Sequence, residues 1–82
     1  MVAGLMDIIK VDARRLLCPM PVIRLQDAME ALPVGSQVVI TCTDPGVKND
    51  IPAWSRINGQ TVLDIQEQDY EIIITVRKDS DN

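Results

Sequence analysis

The chain has no histidine and no phenylalanine, one tryptophan, one tyrosine and two cysteines among its 82 residues. Without histidine there is no Ser-His or Cys-His pair and no imidazole base that titrates near neutral pH. Two cysteines 24 positions apart do not make a disulfide framework. With no histidine beside them they cannot supply the four ligands of a structural zinc site either, so neither metal nor organic cofactor is expected. No apolar run approaches the roughly 20 residues that span a bilayer, so no membrane partner is expected. Met1-Val2-Ala3-Gly4-Leu5-Met6 lacks the basic start and long apolar stretch of a secretion signal. A cytoplasmic location, where thiols stay reduced, is the expectation. Basic residues are scarce: 8 Lys and Arg stand against 12 Asp and Glu, a net charge of −4. Phosphate binding needs clustered cations, so this balance argues against direct contact with nucleic acid. It suits solubility and a basic protein partner.

What is present is an aliphatic core. The hydrophobic fraction is 46% and the charged fraction 24%, ordinary values for a globular protein. The length predicts one domain over residues 1–82, with an ordered core over about 8–78. Ile8 to Asp12 alternates as a strand, and Ala13 to Leu17 is a connector. Pro19 suits the first position of a helix, where its missing N–H costs nothing. Val22, Leu25, Met29 and Leu32 then form one apolar stripe, which Pro33-Val34-Gly35 ends.

Ser36 to Thr43 reads as the next strand, with Val38, Ile40 and Cys42 on one face. A second helix is expected within Val47 to Asn58, with Ile51, Trp54 and Ile57 inward. Either Asp44 caps an early turn of it, or Asp50 caps it with Pro52 in the first turn. Thr61 to Gln66 and Tyr70 to Arg77 are the last strands, joined through a turn at Gln68-Asp69. Asp79 to Asn82 reads as a short, frayed polar tail. The order β-α-β-α-β-β, with right-handed crossovers, gives a two-layer α/β sandwich. Both helices cover one face of a mixed four-stranded sheet.

The chemistry concentrates in Cys18-Pro19-Met20-Pro21. A cysteine just before a helix faces unpaired backbone N–H groups and the positive end of the helix dipole. Both favour the thiolate, the form that attacks other sulfur atoms. Pro19 and Pro21 each fix φ near −65° and stiffen the first turn. The N–H groups of Met20 and Val22 are expected to point at the sulfur.

These residues resemble the TusA-like (SirA-like) sulfur carrier family. The leading signature is Asp12-Ala13-Arg14-Arg15-Leu16-Leu17-Cys18-Pro19-Met20-Pro21-Val22, an Asp followed by a short loop and Cys-Pro-x-Pro. The second is Asp44-Pro45-Gly46, then Asp50-Ile51-Pro52-Ala53-Trp54. The resemblance runs from about Ile8 to Lys78. It implies that Cys18 carries sulfane sulfur as a persulfide. The sulfur would come from a cysteine desulfurase or rhodanese-like donor and pass to a cysteine of an acceptor protein. It also implies service to tRNA thiolation, molybdenum cofactor enzymes or sulfur oxidation, by a carrier rather than a stand-alone enzyme. The expected state is a monomer with transient partners.

One departure stands out. The family usually has Gly where this chain has Arg15. Gly there suggests a left-handed backbone, which Arg adopts at a cost. Arg14 and Arg15 add positive charge near the thiol, expected to lower its pKa further, and with Leu17 they are candidate partner contacts. Asp44, Pro45, Asp50, Pro52 and Trp54 read mainly as structural, the aspartates as cap and turn residues. Cys42 reads as a small core residue. Two other readings stay open: a non-catalytic regulatory or interaction module of the same fold, and a thiol redox protein pairing Cys18 with Cys42.

Overall fold

The structure is a computed structural model that describes residues 8–80. The readings of Met1–Met6 and of a frayed end at Asp81–Asn82 lie outside the described residues. Strands β1 (Ile8–Ala13), β2 (Gln37–Cys42), β3 (Thr61–Gln68) and β4 (Glu71–Arg77) alternate with helices α1 (Met20–Glu30) and α2 (Val47–Ile57) in the order β-α-β-α-β-β. The sheet runs β1-β2-β4-β3. β1 and β2 are parallel, with Ile9 opposite Val38 and Ala13 opposite Cys42. β4 runs antiparallel to both β2 and β3. This is the expected two-layer α/β fold with a mixed sheet.

The core follows from the alternation. Val38, Ile40 and Cys42 of β2 and Ile72, Ile74 and Val76 of β4 are buried on one face. Leu25 and Met29 of α1 and Val47 and Ile51 of α2 close over them. Each such side chain contributes about 1.5–3 kcal/mol by leaving water.

Four details differ from the sequence reading. α1 begins at Met20, with Pro19 as its N-cap residue and Pro21 buried in its first turn. α2 begins at Val47, so Asp50 lies inside its first turn rather than capping it, and Pro52 sits within the helix. Ile57 is 81% exposed, and Ser55 takes the inward place. Six residues at 100° each carry Ile57 about 240° around from Ile51, whereas Ser55 at i+4 stays on its face.

Third, the β3–β4 turn is Asp69-Tyr70 rather than Gln68-Asp69. Gln68 pairs with Glu71, and the two turn residues have φ of 50° and 71°. Those left-handed angles belong to a two-residue type I′ hairpin, which usually takes Asn-Gly or Asp-Gly, so the sequence signal is weak. Fourth, Asp79 and Ser80 are tied down: both backbone N–H groups donate to Gln60 Oε1, at 2.7 and 3.1 Å.

Lys78, at the end of β4, is 4% exposed. Its ammonium donates to the carbonyls of Met29 at 2.7 Å and Leu32 at 2.6 Å, closing the C-terminal end of α1. The Met29 carbonyl also accepts the Leu32 N–H at 3.1 Å, and both carbonyls lie at the negative end of the helix dipole, so a cation is the fitting cap. Among the described residues no helix is long and apolar enough to cross a membrane.

Candidate functional site

Cys18 lies beyond the C-terminal ends of the parallel strands β1 and β2, where open α/β sheets characteristically place their ligand sites. Two loops meet there. The Arg15 N–H donates to Thr43 Oγ1 at 2.8 Å, and the Cys18 N–H donates to Asp44 Oδ2 at 2.8 Å. Asp44 Oδ1 accepts the Gly46 N–H at 3.0 Å. One carboxylate thus fastens the cysteine loop to the start of α2. Arg15 has a φ of 69°, the left-handed backbone expected at that position.

Pro19 and Pro21 flank the turn that presents the sulfur. The Met20 N–H donates to the Leu17 carbonyl at 2.9 Å, closing a four-residue turn over Cys18-Pro19, whose peptide bond is cis. This fits the turn class with cis-Pro at its third residue. The Met20 N–H is therefore spent within the turn, contrary to the expectation that it points at the sulfur.

The electrostatics also reverse the sequence reading. The Cys18 sulfur shares the space above Gly46 with the carboxylate oxygens of Asp50 and Asp44. First the hydrogen-bonding pull of Asp50 on the thiol proton, then loss of hydration and the Asp44 carboxylate, push the Cys18 pKa up to about 12. A carboxylate that accepts S–H favours the neutral form, and two negative charges beside the sulfur oppose a third. The expected help from arginine is absent as well. Arg14 turns onto Asp12 at 2.9 Å and Glu71 at 3.5 Å. That pairing holds the Asp12 carboxyl down at about 2.

Gly46 is the floor of the site. A Cβ there would stand 3.2 Å from Cys18 Sγ, 3.4 Å from Asp44 Oδ1 and 3.8 Å from Asp50 Oδ2. A side chain would press directly on the sulfur.

The family model described as Sulfurtransferase TusA matches residues 9–78. The chain belongs to the TusA family. It is 43% identical over 53 residues to YrkI of Bacillus subtilis, covering 65% of this chain and 71% of that protein. It is 32% identical over 72 residues to the sulfur carrier protein TusA of Pseudomonas syringae, covering 88% and 86%. To the sulfur carrier protein TusA of Pseudomonas fluorescens it is 35% identical over 69 residues, covering 84% and 83%.

Near this TusA-family cysteine in the chain stand three exposed apolar residues. Leu17 is 73% exposed, Met20 41% and Ile23 42%. They follow one another at three-residue spacing, the last two on one face of α1. The two cysteines are unlike each other. Cys18 is half-buried, while Cys42 is buried in the core, where burial pushes its thiol up to about 11. A resolving thiol must be reachable, so the Cys18–Cys42 redox reading loses support.

The structure brings Asp44 and Asp50 to the cysteine. Pro45 is exposed in the turn before α2, and Trp54 is half-buried against the core. Pro52 shapes the helix without reaching the sulfur. Arg15, Thr43 and Tyr70 line an open cleft of about 450 Å³ with Asp12, Arg14, Asp69 and Glu71, and Cys18 is not part of it. Sequence reasoning gave no role to Thr43. Its signal is a hydroxyl one residue before Asp44, at the end of a strand and facing the loop that must be anchored.

Proposed function

We propose that this chain is a small sulfur carrier that accepts sulfane sulfur as a persulfide on Cys18 and relays it to a cysteine of an acceptor protein. A cysteine desulfurase or rhodanese-like protein is the donor. The acceptor serves tRNA thiolation, molybdenum cofactor assembly or another branch of sulfur metabolism in the cytoplasm. The observation that carries the reading is the placement of Cys18: a half-buried thiol in a turn with Pro19, Pro21 opening the helix after it, and exposed Leu17, Met20 and Ile23 close to it along the chain. Singly exposed apolar residues are ordinary; three beside a nucleophile suit a partner that docks over it. Membership of the TusA family supports the same reading.

The chemistry is sulfur exchange, in which a thiolate attacks a sulfur–sulfur bond and a thiolate leaves. The chain's part is to hold Sγ above Gly46, limit its ionisation and offer an apolar rim. The test is intact mass after incubation with a cysteine desulfurase and free cysteine, for wild type and Cys18→Ser, with and without reductant. A reducible gain of one sulfur on wild type alone is expected. Equal gain on Cys18→Ser would remove Cys18 from the role.

A further inference from the structure

The two aspartates at the sulfur do different work. Asp44 is engaged with backbone: its oxygens accept the N–H groups of Cys18 at 2.8 Å and Gly46 at 3.0 Å. It holds the loops together whatever the sulfur does. Asp50 has no such duty among the described residues. It stands exposed in the first turn of α2 with Oδ2 turned to the space above Gly46 that Cys18 Sγ also faces. Among the described residues no Lys or Arg forms an ion pair with it. Lys48, two residues earlier, pairs with Glu67 at 3.1 Å, and Arg14 pairs with Asp12 and Glu71. The first turn of α1 contributes no acidic residue. The groups facing Sγ are therefore Asp50 from α2 and Asp44 from the preceding loop.

We propose that Asp50 is the positioning residue that holds the Cys18 proton in the unpartnered chain: its carboxylate accepts the Sγ–H and fixes the sulfur over Gly46, so that sulfur transfer starts when a docked partner breaks that hydrogen bond. This rests on the reading of Cys18 as the persulfide site. In the transfer, the Cys18 S–H bond breaks and its electron pair becomes the Sγ–S bond to the terminal sulfur of a donor persulfide. The donor's own S–S bond breaks, its electron pair leaves on the donor thiolate, and the proton ends there. The sum is Cys18-SH plus R-S-SH giving Cys18-S-SH plus R-SH, with no external oxidant or reductant.

The test is the pH profile of Cys18 alkylation by iodoacetamide, from pH 7 to 11, in wild type and Asp50→Asn. Asparagine keeps the shape of the side chain and removes the charge. Each unit by which a thiol pKa falls gives ten times more thiolate that is about threefold less nucleophilic, a net gain of about threefold. Asp50→Asn is therefore expected to react about threefold to tenfold faster at pH 8, with its profile displaced to lower pH. An unchanged profile overturns the proposal. A merely structural role for Asp50 would alter stability without displacing the profile.

A second measurement does not depend on that variant folding. Cys42→Ala leaves one thiol, whose infrared S–H stretch is expected at lower frequency than after urea unfolding, as a hydrogen-bonded S–H requires. A band at the unfolded position overturns the proposal. Sulfur loading from the desulfurase separates the two readings. Loading on Cys18 with an unchanged alkylation profile sinks the Asp50 role and leaves the carrier role standing. A displaced profile with no loading from either a cysteine desulfurase or a rhodanese-like donor supports the Asp50 role and removes the carrier role.

Discussion

Lys78→Met should unfold this domain far more readily than its surface-like chemistry suggests. Lysine is the residue least expected inside a small core, yet Lys78 is 4% exposed and donates to Met29 O at 2.7 Å and Leu32 O at 2.6 Å. Its backbone joins the same corner: Gly35 N–H donates to Lys78 O at 2.7 Å, and Lys78 N–H donates to Ser36 O at 2.8 Å. Methionine keeps the length and apolar stem and removes the ammonium. A hydrogen bond from a charged donor contributes about 1.5–3 kcal/mol. The bond to Met29 O is buried and is not replaced by water, although that carbonyl keeps the Leu32 N–H; the Leu32 bond is partly exposed and water replaces some of it. No longer burying a charge returns part of the loss. The net cost is about 2–3 kcal/mol. At about 4–8 °C per kcal/mol for a domain of this size, Tm should fall by roughly 10–20 °C.

The assay is urea unfolding of both proteins followed by the Trp54 signal, with the slope m held common. Lys78 pairs at the Gln37–Arg77 end of the β2–β4 ladder, whereas Cys18 sits at the Cys42–Ile72 end. Alkylation of Cys18 in the folded variant should therefore match wild type. A destabilisation below about 0.5 kcal/mol would refute the reasoning, because it would mean that burying the ammonium costs as much as its hydrogen bonds contribute.

Ser55→Ala should be neutral to stabilising by about 1 kcal/mol in the same assay, because Ser55 Oγ is, among the described residues, the buried side-chain polar atom without a hydrogen-bond partner. Arg15→Gly should stabilise by up to about 1 kcal/mol: a left-handed backbone costs an L residue about 1–2 kcal/mol, and glycine's freedom when unfolded takes back about 0.5–1; equal or lower stability would show that the Arg15 side chain contributes more than its backbone costs. The Asp44 carboxyl is held below its ordinary value by the Gly46 and Cys18 N–H groups, so its contribution to stability is present above about pH 5 and lost as pH falls through the folded value; stability should fall less steeply below pH 5 in Asp44→Asn, as read by Tm against pH. Both thiols are raised, Cys18 to about 12 and Cys42 to about 11, so their contribution is full below pH 9.0 and is lost above it. Cys42 should resist alkylation at pH 8 until urea unfolds the chain; modification in the folded state would contradict its burial.

The fold was legible because its signals are local. Val38-Ile40-Cys42 and Ile72-Ile74-Val76 alternate cleanly, and Leu25 and Met29 keep helical spacing. Where signals were weak, boundaries moved. Asp69-Tyr70 is a poor hairpin pair by composition, and Ile57 reads as inward by its apolar side chain although the angle from Ile51 favours Ser55. The position of Cys18 was legible, and its acidity was not. The argument for a thiolate counted the N–H groups of the cysteine's own helix. The structure spends the Met20 N–H on Leu17 and sets Asp44 and Asp50, 26 and 32 residues further along, beside the sulfur. Nothing in the spacing of a single stretch reveals a carboxylate arriving from the next βα unit. Lys78 is hidden for the same reason: its partners are the carbonyls of residues 46 and 49 positions earlier.

On the proposed reading of Cys18 as the persulfide site, the carboxylates at the sulfur bear on both halves of the relay. Loading needs Sγ as a nucleophile, and unloading needs it as a leaving group, since the acceptor attacks the outer sulfur, about 2.05 Å beyond Sγ. A thiol held protonated attacks slowly, and a thiolate of high pKa leaves slowly. Asp50 and Asp44 therefore raise both barriers while the chain is alone. A partner that docks on Leu17, Met20 and Ile23 and draws the Asp50 carboxylate away would lower both: the thiol is released for loading, and a negative charge is removed from beside the leaving Sγ for unloading. An ordinary activated cysteine would be the worse choice for such a task. It would load quickly, but it would also surrender its sulfur to any free thiol and oxidise between encounters. A carrier must be inert in transit and reactive in a complex, and a thiol restrained by a residue from a different element meets both demands.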